Sequence, residues 1–243
     1  MKRAIITGIR RIGYEIAREL LSKGWLVGVV YRTSEEVYRR LLEEFGSRVF
    51  AFKGDIGLWQ RAEEAISYLS EKMGGVDALI HLASPYEATP LESLKEEDLE
   101  YHFKPIAQAF LVMGRELKPI MLKNSGEVKG RIVAFGDWAT NTTPYKNYSA
   151  YFLAKGALHT AVKVMAKELA PHILVNAIAL GPTLKPSDLS QDKWQEYINK
   201  TPLRRAVSLE DVVKLTNYLL EVESMTGEII FLDCGRHVAG ECT

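Results

Sequence analysis

Residues Lys2-Arg3-Ala4-Ile5-Ile6-Thr7-Gly8-Ile9-Arg10-Arg11-Ile12-Gly13 pass from a short apolar strand pattern through a glycine turn straight into a helical repeat. Ile12, Ile16 and Leu20 of that repeat share one face at i,i+4 spacing. Glycines at a strand-to-helix turn let the backbone approach a diphosphate, and the free N–H groups of the helix N-terminus favour negative charge. Such glycines also serve packing alone, so the segment states an α/β unit first and an anion site second. Arg10 and Arg11 add to the anion reading, because two guanidinium groups in one loop repel unless an anion lies near them. The plainer alternative is a pair of solvated arginines.

The same alternation continues along all 243 residues. Ala4-Ile5-Ile6, Leu26 to Tyr31, Val49 to Phe52, Ala78 to Leu82, Ile132 to Phe135, Ile173 to Ala179 and Ile229 to Leu232 are β-like, with amphipathic stretches between them. In a later stretch Leu158, Val162, Met165 and Leu169 repeat the helical stripe. Continuous apolar strands separated by helices imply a parallel sheet covered on both faces, with right-handed crossovers. The expected fold is therefore α/β: a doubly wound, seven-stranded parallel sheet with helices on both faces. No linker, repeat or low-complexity tract divides the chain, so residues 1–243 read as one domain. Pro182 to Pro202, the least regular stretch, reads as a substrate loop.

Composition limits the partners. An apolar fraction of 47% supplies a core, and 26% charged residues supply a polar surface. Lys+Arg and Asp+Glu both total 31, so no bulk attraction to nucleic acid or anionic membrane is implied, and neither partner is expected. Cys234 and Cys242 lack metal-ligand spacing and read as free thiols, and no metal is expected. No apolar run approaches the ~20 residues of a membrane span, and Met1-Lys2-Arg3 leads into a strand pattern instead of a signal peptide. The expected location is the cytoplasm.

Two further segments carry chemistry. Tyr31-Arg32-Thr33-Ser34 has no carboxylate to hold a ribose diol, whereas Arg32 and Ser34, with Arg10, suit a 2′-phosphate; the segment favours NADP(H) over NAD. Asp55 either accepts from an adenine amino group or caps a helix at Asp55-Ile56-Gly57. Tyr-x-x-x-Lys occurs twice. Tyr68/Lys72 lies among Glu63, Glu64 and Glu71 on what reads as a solvated face. Tyr151/Lys155 begins an apolar helix just after the fifth strand, at the carboxyl edge where ligands bind in such sheets. One helical turn puts both side chains on one face, so the ammonium is expected to lower the phenol pKa and to hydrogen-bond a ribose.

Thr7-Gly8 with Gly13, Asp55, Leu82-Ala83-Ser84, Tyr151/Lys155, Asn176 to Gly181 and Thr226-Gly227 to Gly235 occur in an order that resembles the short-chain dehydrogenase/reductase family over the whole chain. The resemblance implies a Rossmann-type NADP(H)-binding domain. It places Gly8, Ile12, Thr33, Ile56, Ala83, Ser84, Gly181 and Thr183 around the cofactor. The departures are informative. The glycine loop is one residue short, with Arg11 for its middle glycine. His81-Leu82-Ala83-Ser84 replaces Asn-Asn-Ala-Gly, Asp137 replaces the catalytic serine, and Lys104 or His102 stands near the supporting asparagine. Together with Ala83-Ser84-Pro85-Tyr86 and Asp233-Cys234-Gly235-Arg236-His237, they resemble the pteridine reductase branch and its dihydromonapterin reductase relatives.

That branch implies a flat heteroaromatic ring held between Tyr86 and the nicotinamide, with Arg11 and Ser84 on its polar edge. Tyr86 otherwise reads as a rim aromatic with its hydroxyl in water. Asp137, an acceptor and a like charge to a phenolate, favours a protonated Tyr151 suited to donating a proton in C=N reduction; it alternatively caps the loop after strand five. The expectation is an NADPH-dependent reductase of a pterin-like C=N bond, with Tyr151 as proton donor beside Lys155 and Asp137. The alternatives are a carbonyl reductase of 3-oxoacyl or small ketone substrates and a non-catalytic NADP(H)-binding regulator. The family also implies a homo-oligomer, tetramer or dimer, in which the Leu158/Val162 stripe serves either an interface or the core, and Arg236 or His237 reaches a neighbouring site.

Overall fold

A computed structural model describes residues 1–186 and 189–239. Seven strands, β1 (Arg3–Thr7), β2 (Leu26–Tyr31), β3 (Val49–Lys53), β4 (Ala78–His81), β5 (Gly130–Asp137), β6 (Ile173–Leu180) and β7 (Ile229–Leu232), pair in parallel in the order β3-β2-β1-β4-β5-β6-β7. Side chains alternate between the two faces of such a sheet, and both faces are covered, which is why the strands read as unbroken apolar runs. Ile5, Leu79, Ile132 and Val175 face one core, under α3 (Trp59–Met73), α5 (Ala109–Met121) and α6 (Ser149–Leu169). Ile6, Val29, Val133 and Ile178 face the other, under α1 (Ile12–Ser22), α2 (Glu35–Phe45) and α8 (Leu209–Leu219).

Leu158 and Val162 of α6 are fully buried in the first core, so that stripe is core and not an outward interface. Burying each is worth about 1.5–3 kcal/mol. The apolar residues that α6 turns outward are Leu153 and Val164. No helix among the described residues is long and apolar enough to cross a membrane.

The site is positioned by the reversal of strand order between β1 and β4. Connections leave these neighbours in opposite directions and open a crevice at their carboxyl ends. A second positioning element joins α4 (Glu96–Phe103) to α5: one π-helical turn, Lys104–Gln108, whose Ala109 N–H bonds back to the Lys104 carbonyl. Pro105 has no N–H to continue the α-helical ladder, which accounts for the shift in register.

The stretch 182–202 is more regular than its sequence suggests. It contains α7 (Gln191–Asn199), capped by the Ser190 hydroxyl accepting from the Lys193 N–H and anchored by buried Trp194 and Ile198 at i,i+4. Ser187 and Asp188 of that stretch lie outside the described residues, as does Cys242; Cys234 is a free thiol.

Candidate active site

The turn after β1 is built for close approach. Gly8 adopts φ +76°, and a Cβ there would lie 2.6 Å from the Leu82 carbonyl carbon, so only glycine lets this turn pack on the end of β4. Arg11 stands at the N-cap of α1 with no side chain capping the helix end, so its first N–H groups remain available to an anion. Arg11 also donates to the Lys185 carbonyl at 3.0 Å, which brings the stretch after β6 over the turn.

Thr7 locks the two strand ends together. Its hydroxyl accepts from the Ala83 N–H at 3.2 Å and donates to His81 Nδ1 at 3.0 Å, while His81 Nε2–H donates to the Ile106 carbonyl of the π turn at 3.0 Å. This assignment requires a neutral imidazole. Burial supplies one by pushing the His81 pKa down to about 4. The residue that departs from the usual asparagine is thus a structural strut beneath the cleft.

At the end of β2, Arg32 pairs with Asp55 at 3.2 Å and its guanidinium lies 5.9 Å from the Tyr101 ring centroid. Asp55 also accepts from the Gly57 N–H at 2.9 Å. The helix-cap reading of Asp55 is therefore corrected. Leu58 occupies the N-cap of α3, because the carboxylate is spent on its own turn and on Arg32. Ser34 stands at the N-cap of α2 and is buried, with no capping bond from its hydroxyl.

Asp137 ends β5 and Tyr151 lies in the first turn of α6. The Tyr151 hydroxyl donates to the Asp137 carboxylate at 2.9 Å, whose second oxygen accepts from the Ala139 N–H at 2.8 Å; Asp137 thus caps its loop and holds the phenol at once. Lys155, one turn on, donates to the Phe135 carbonyl at 2.6 Å, with its Nζ 5.6 Å from the Tyr151 ring centroid. Three ionisable groups are thereby buried together.

Burial raises the Asp137 pKa against its two hydrogen bonds, and burial with the Asp137 charge raises the Tyr151 phenol well above its ordinary value. Burial lowers the Lys155 ammonium to about 8, partly offset by Asp137. The expectation that Lys155 lowers the phenol pKa is corrected: the carboxylate is the phenol's hydrogen-bond partner, whereas the ammonium is spent on a backbone carbonyl. The proton stays on the phenol.

Every residue expected to touch cofactor or substrate borders one cleft of about 660 Å³, including Arg10, Thr33, Ile56, Ser84, Gly181 and Thr183. That size suits a cofactor and a small substrate together. The substrate end is aromatic. Tyr86 stacks on Tyr148 (centroids 4.6 Å, 18°) and meets Tyr151 edge-on at 5.0 Å, and its hydroxyl donates to the Tyr145 hydroxyl at 3.1 Å. Tyr86 is thus a half-exposed aromatic at the rim of the cleft, as one of the two readings had it, but its hydroxyl is bonded to a neighbouring phenol. Trp138, Tyr145, Trp194 and Tyr197 complete this wall and were not singled out as site residues from sequence. Tyr145 and Tyr148 sit in what reads as a polar loop, and Trp194 and Tyr197 in an irregular one; only the i,i+3 spacing of the latter pair was a usable signal.

A family model described as Enoyl-(Acyl carrier protein) reductase matches residues 8–237. The chain belongs to the short-chain dehydrogenase/reductase family. Among its relatives, dihydromonapterin reductase of Citrobacter koseri is 28% identical, covering 96% of this chain and 95% of its own. An enoyl-[acyl-carrier-protein] reductase [NADH] of Aquifex aeolicus is 26% identical, covering 98% and 92%. The solved FolM alternative dihydrofolate reductase 1 of Brucella canis, complexed with NADP, superimposes with a TM-score of 0.87 at 27% identity, covering 99% and 96%.

As a short-chain dehydrogenase/reductase the chain is an oxidoreductase, and the family binds a nicotinamide cofactor. The residues present fit one: the Gly8 turn, the uncapped α1 end and the arginines border the same cleft as Tyr151 and Lys155. The supporting asparagine of the short-chain dehydrogenase/reductases has no side-chain equivalent here. Lys104 turns out to an ion pair with Glu100 at 2.8 Å, and His102 is buried, its Nδ1–H donating to the Asp98 carbonyl at 2.8 Å. Arg236 and His237 are engaged within their own chain: His237 bonds Asp233 at 2.9 Å and stacks on Phe231, and Arg236 lies 4.9 Å from the Trp138 ring centroid.

Proposed function

We propose that this protein is an NADPH-dependent reductase of a flat, pterin-like C=N substrate. The observation that carries the proposal is the buried Tyr151–Asp137 hydrogen bond at one corner of an aromatic-walled cleft. An ionised carboxylate in place of a hydroxyl cannot donate a hydrogen bond to stabilise a tyrosinate, but it holds a protonated phenol in one orientation. The relatives that include dihydromonapterin reductase and the NADP-bound FolM structure support the same assignment.

In this reading Gly8, Arg10 and Arg11 hold the diphosphate, Arg32 and Ser34 the 2′-phosphate, and Lys155 the nicotinamide ribose. Bound NADPH supplies a hydride. Tyr151 protonates the nitrogen of the reduced bond, Asp137 orients the phenol or relays to it a proton taken up from water entering the cleft, and Tyr86 stacks on the substrate ring while Arg11 and Ser84 meet its polar edge. Offset stacking of this kind adds ~0.5–1.5 kcal/mol beyond area burial.

The enoyl reductase relative keeps a second reading in view, reduction of an acyl thioester or small carbonyl. NADPH oxidation measured with dihydrobiopterin and dihydrofolate against acetoacetyl and enoyl thioesters and diacetyl decides between them. Turnover of the pterins is the expected result. Turnover of the thioesters or diacetyl alone refutes the pterin assignment, whereas a non-catalytic regulator would bind cofactor, turn over none of them and lose no function on Tyr151→Phe.

A further inference from the structure

The aromatic wall contains a hydroxyl pair that the reduction step does not use. Tyr86 Oη donates to Tyr145 Oη at 3.1 Å, and that is the one hydrogen bond Tyr145 makes among the described residues. A phenol carries one proton and two lone pairs, so a single bond between two phenols leaves one O–H proton without an acceptor. Both rings border the cleft with Asp137 and Tyr151, and the Tyr86 ring ties the pair to the reacting corner by its edge contact with Tyr151.

The pair is also held in place. Tyr145 meets Phe152 edge-on at 4.7 Å and Tyr148 at 5.3 Å, while Tyr86 lies flat on Tyr148. Phe152 and Tyr148 thus hold the two rings, and little ordering entropy remains to be lost when a ligand arrives. Tyr145 is the more enclosed of the two, since Tyr86 is 48% exposed. A donor in such surroundings interacts more strongly with an acceptor than one in water.

We infer that Tyr145 is a substrate-recognition residue, donating the unspent proton of the Tyr86–Tyr145 pair to a ring carbonyl on the edge of a flat heteroaromatic substrate away from the reacting bond. The inference rests on the pterin reading above and adds to it the residue that reads the non-reacting edge. A site built to donate to a carbonyl discriminates against an analogue that lacks it, because the partly enclosed donor is then left without its partner. Burial keeps both phenols protonated by raising their pKa, so the donor is present at any physiological pH.

The test is calorimetric titration of dihydrobiopterin, and of an analogue lacking the ring carbonyl, into NADP⁺-saturated wild type, Tyr145→Phe and Tyr86→Phe. Phenylalanine keeps the ring contacts and removes only the hydroxyl. Tyr145→Phe is expected to weaken dihydrobiopterin binding about tenfold and to abolish the preference over the analogue. Tyr86→Phe, which leaves the Tyr145 proton in place, should keep the preference over the analogue, whatever it does to the affinity itself. The preference ratio does not depend on any loss of stability in the variants. Equal binding and equal preference in wild type and Tyr145→Phe overturns the inference while leaving the pterin reading intact. A wild type that binds NADP⁺ but no dihydropterin overturns both.

Discussion

Replacing Gly136 by alanine sets a packing conflict directly beside the Asp137 carboxylate. Gly136 precedes Asp137 in β5, and a Cβ at this position would lie 2.0 Å from His159 Nε2 and 2.8 Å from its Cδ2. An ordinary contact begins at 3.4 Å, so the strand or the imidazole must move by roughly 1.4 Å. The ring is not free to swing: it is 3% exposed, its Nδ1 is bonded to the Asn141 side chain at 3.1 Å, and its Nε2 faces the glycine without a partner.

Overpacking of this size costs about 1–3 kcal/mol. At Gly136 and Asp137 β5 is paired with β6 alone, so part of the displacement passes to Asp137 and stretches its 2.9 Å bond to Tyr151. A misplacement near 1 Å lowers turnover by about a hundredfold. Urea unfolding and steady-state NADPH oxidation measure the two effects. Adding His159→Ala should relieve the conflict, giving a favourable coupling of about 1–3 kcal/mol in the double-mutant cycle. Gly136→Ala within ~0.5 kcal/mol of wild type, or a strictly additive cycle, refutes the reasoning.

Three other outcomes follow from the same geometry. Burial holds His81 and His159 at about 4 in the folded chain against an ordinary 6.5. Below pH 6.5 the unfolded chain takes up protons that the folded one refuses, so stability falls as pH drops from 6.5 toward 4, by up to roughly 3 kcal/mol per histidine; urea midpoints across this range check it, and His81→Gln should flatten the slope. Gly8→Ala, which puts a Cβ 2.6 Å from the Leu82 backbone at a positive φ, should weaken NADPH binding more than about tenfold by cofactor fluorescence. Arg32→Ala should weaken NADPH binding about ten- to a hundredfold and leave NADH nearly unchanged; equal loss for both cofactors would contradict a 2′-phosphate role.

The strands were legible because a sheet covered on both faces leaves no room for polar alternation, and each of the seven stands out as an apolar run. Tyr151/Lys155 was legible because one helical turn puts both side chains on one face, although residues 138–148 separate the end of β5 from α6. The partnerships were not. That Lys155 spends its proton on the Phe135 carbonyl, while Asp137 takes the phenol, depends on backbone directions that spacing does not encode. His81 looked like a missing asparagine, and its Thr7 and Ile106 partners exist only because β1, β4 and a π turn converge. Tyr145 and Tyr148 became a wall because Tyr86, some sixty residues earlier, folds back onto them. The prolines between 182 and 202 masked α7, whose buried face needs only Trp194 and Ile198.

The Tyr151→Phe variant, assayed for dihydrobiopterin-dependent NADPH oxidation alongside its affinity for NADPH, bears most directly on the phenol's role. Loss of a positioned general acid predicts turnover lowered by about 10²–10⁴-fold with cofactor affinity retained. Turnover within about threefold of wild type would show that the proton comes from elsewhere in the cleft.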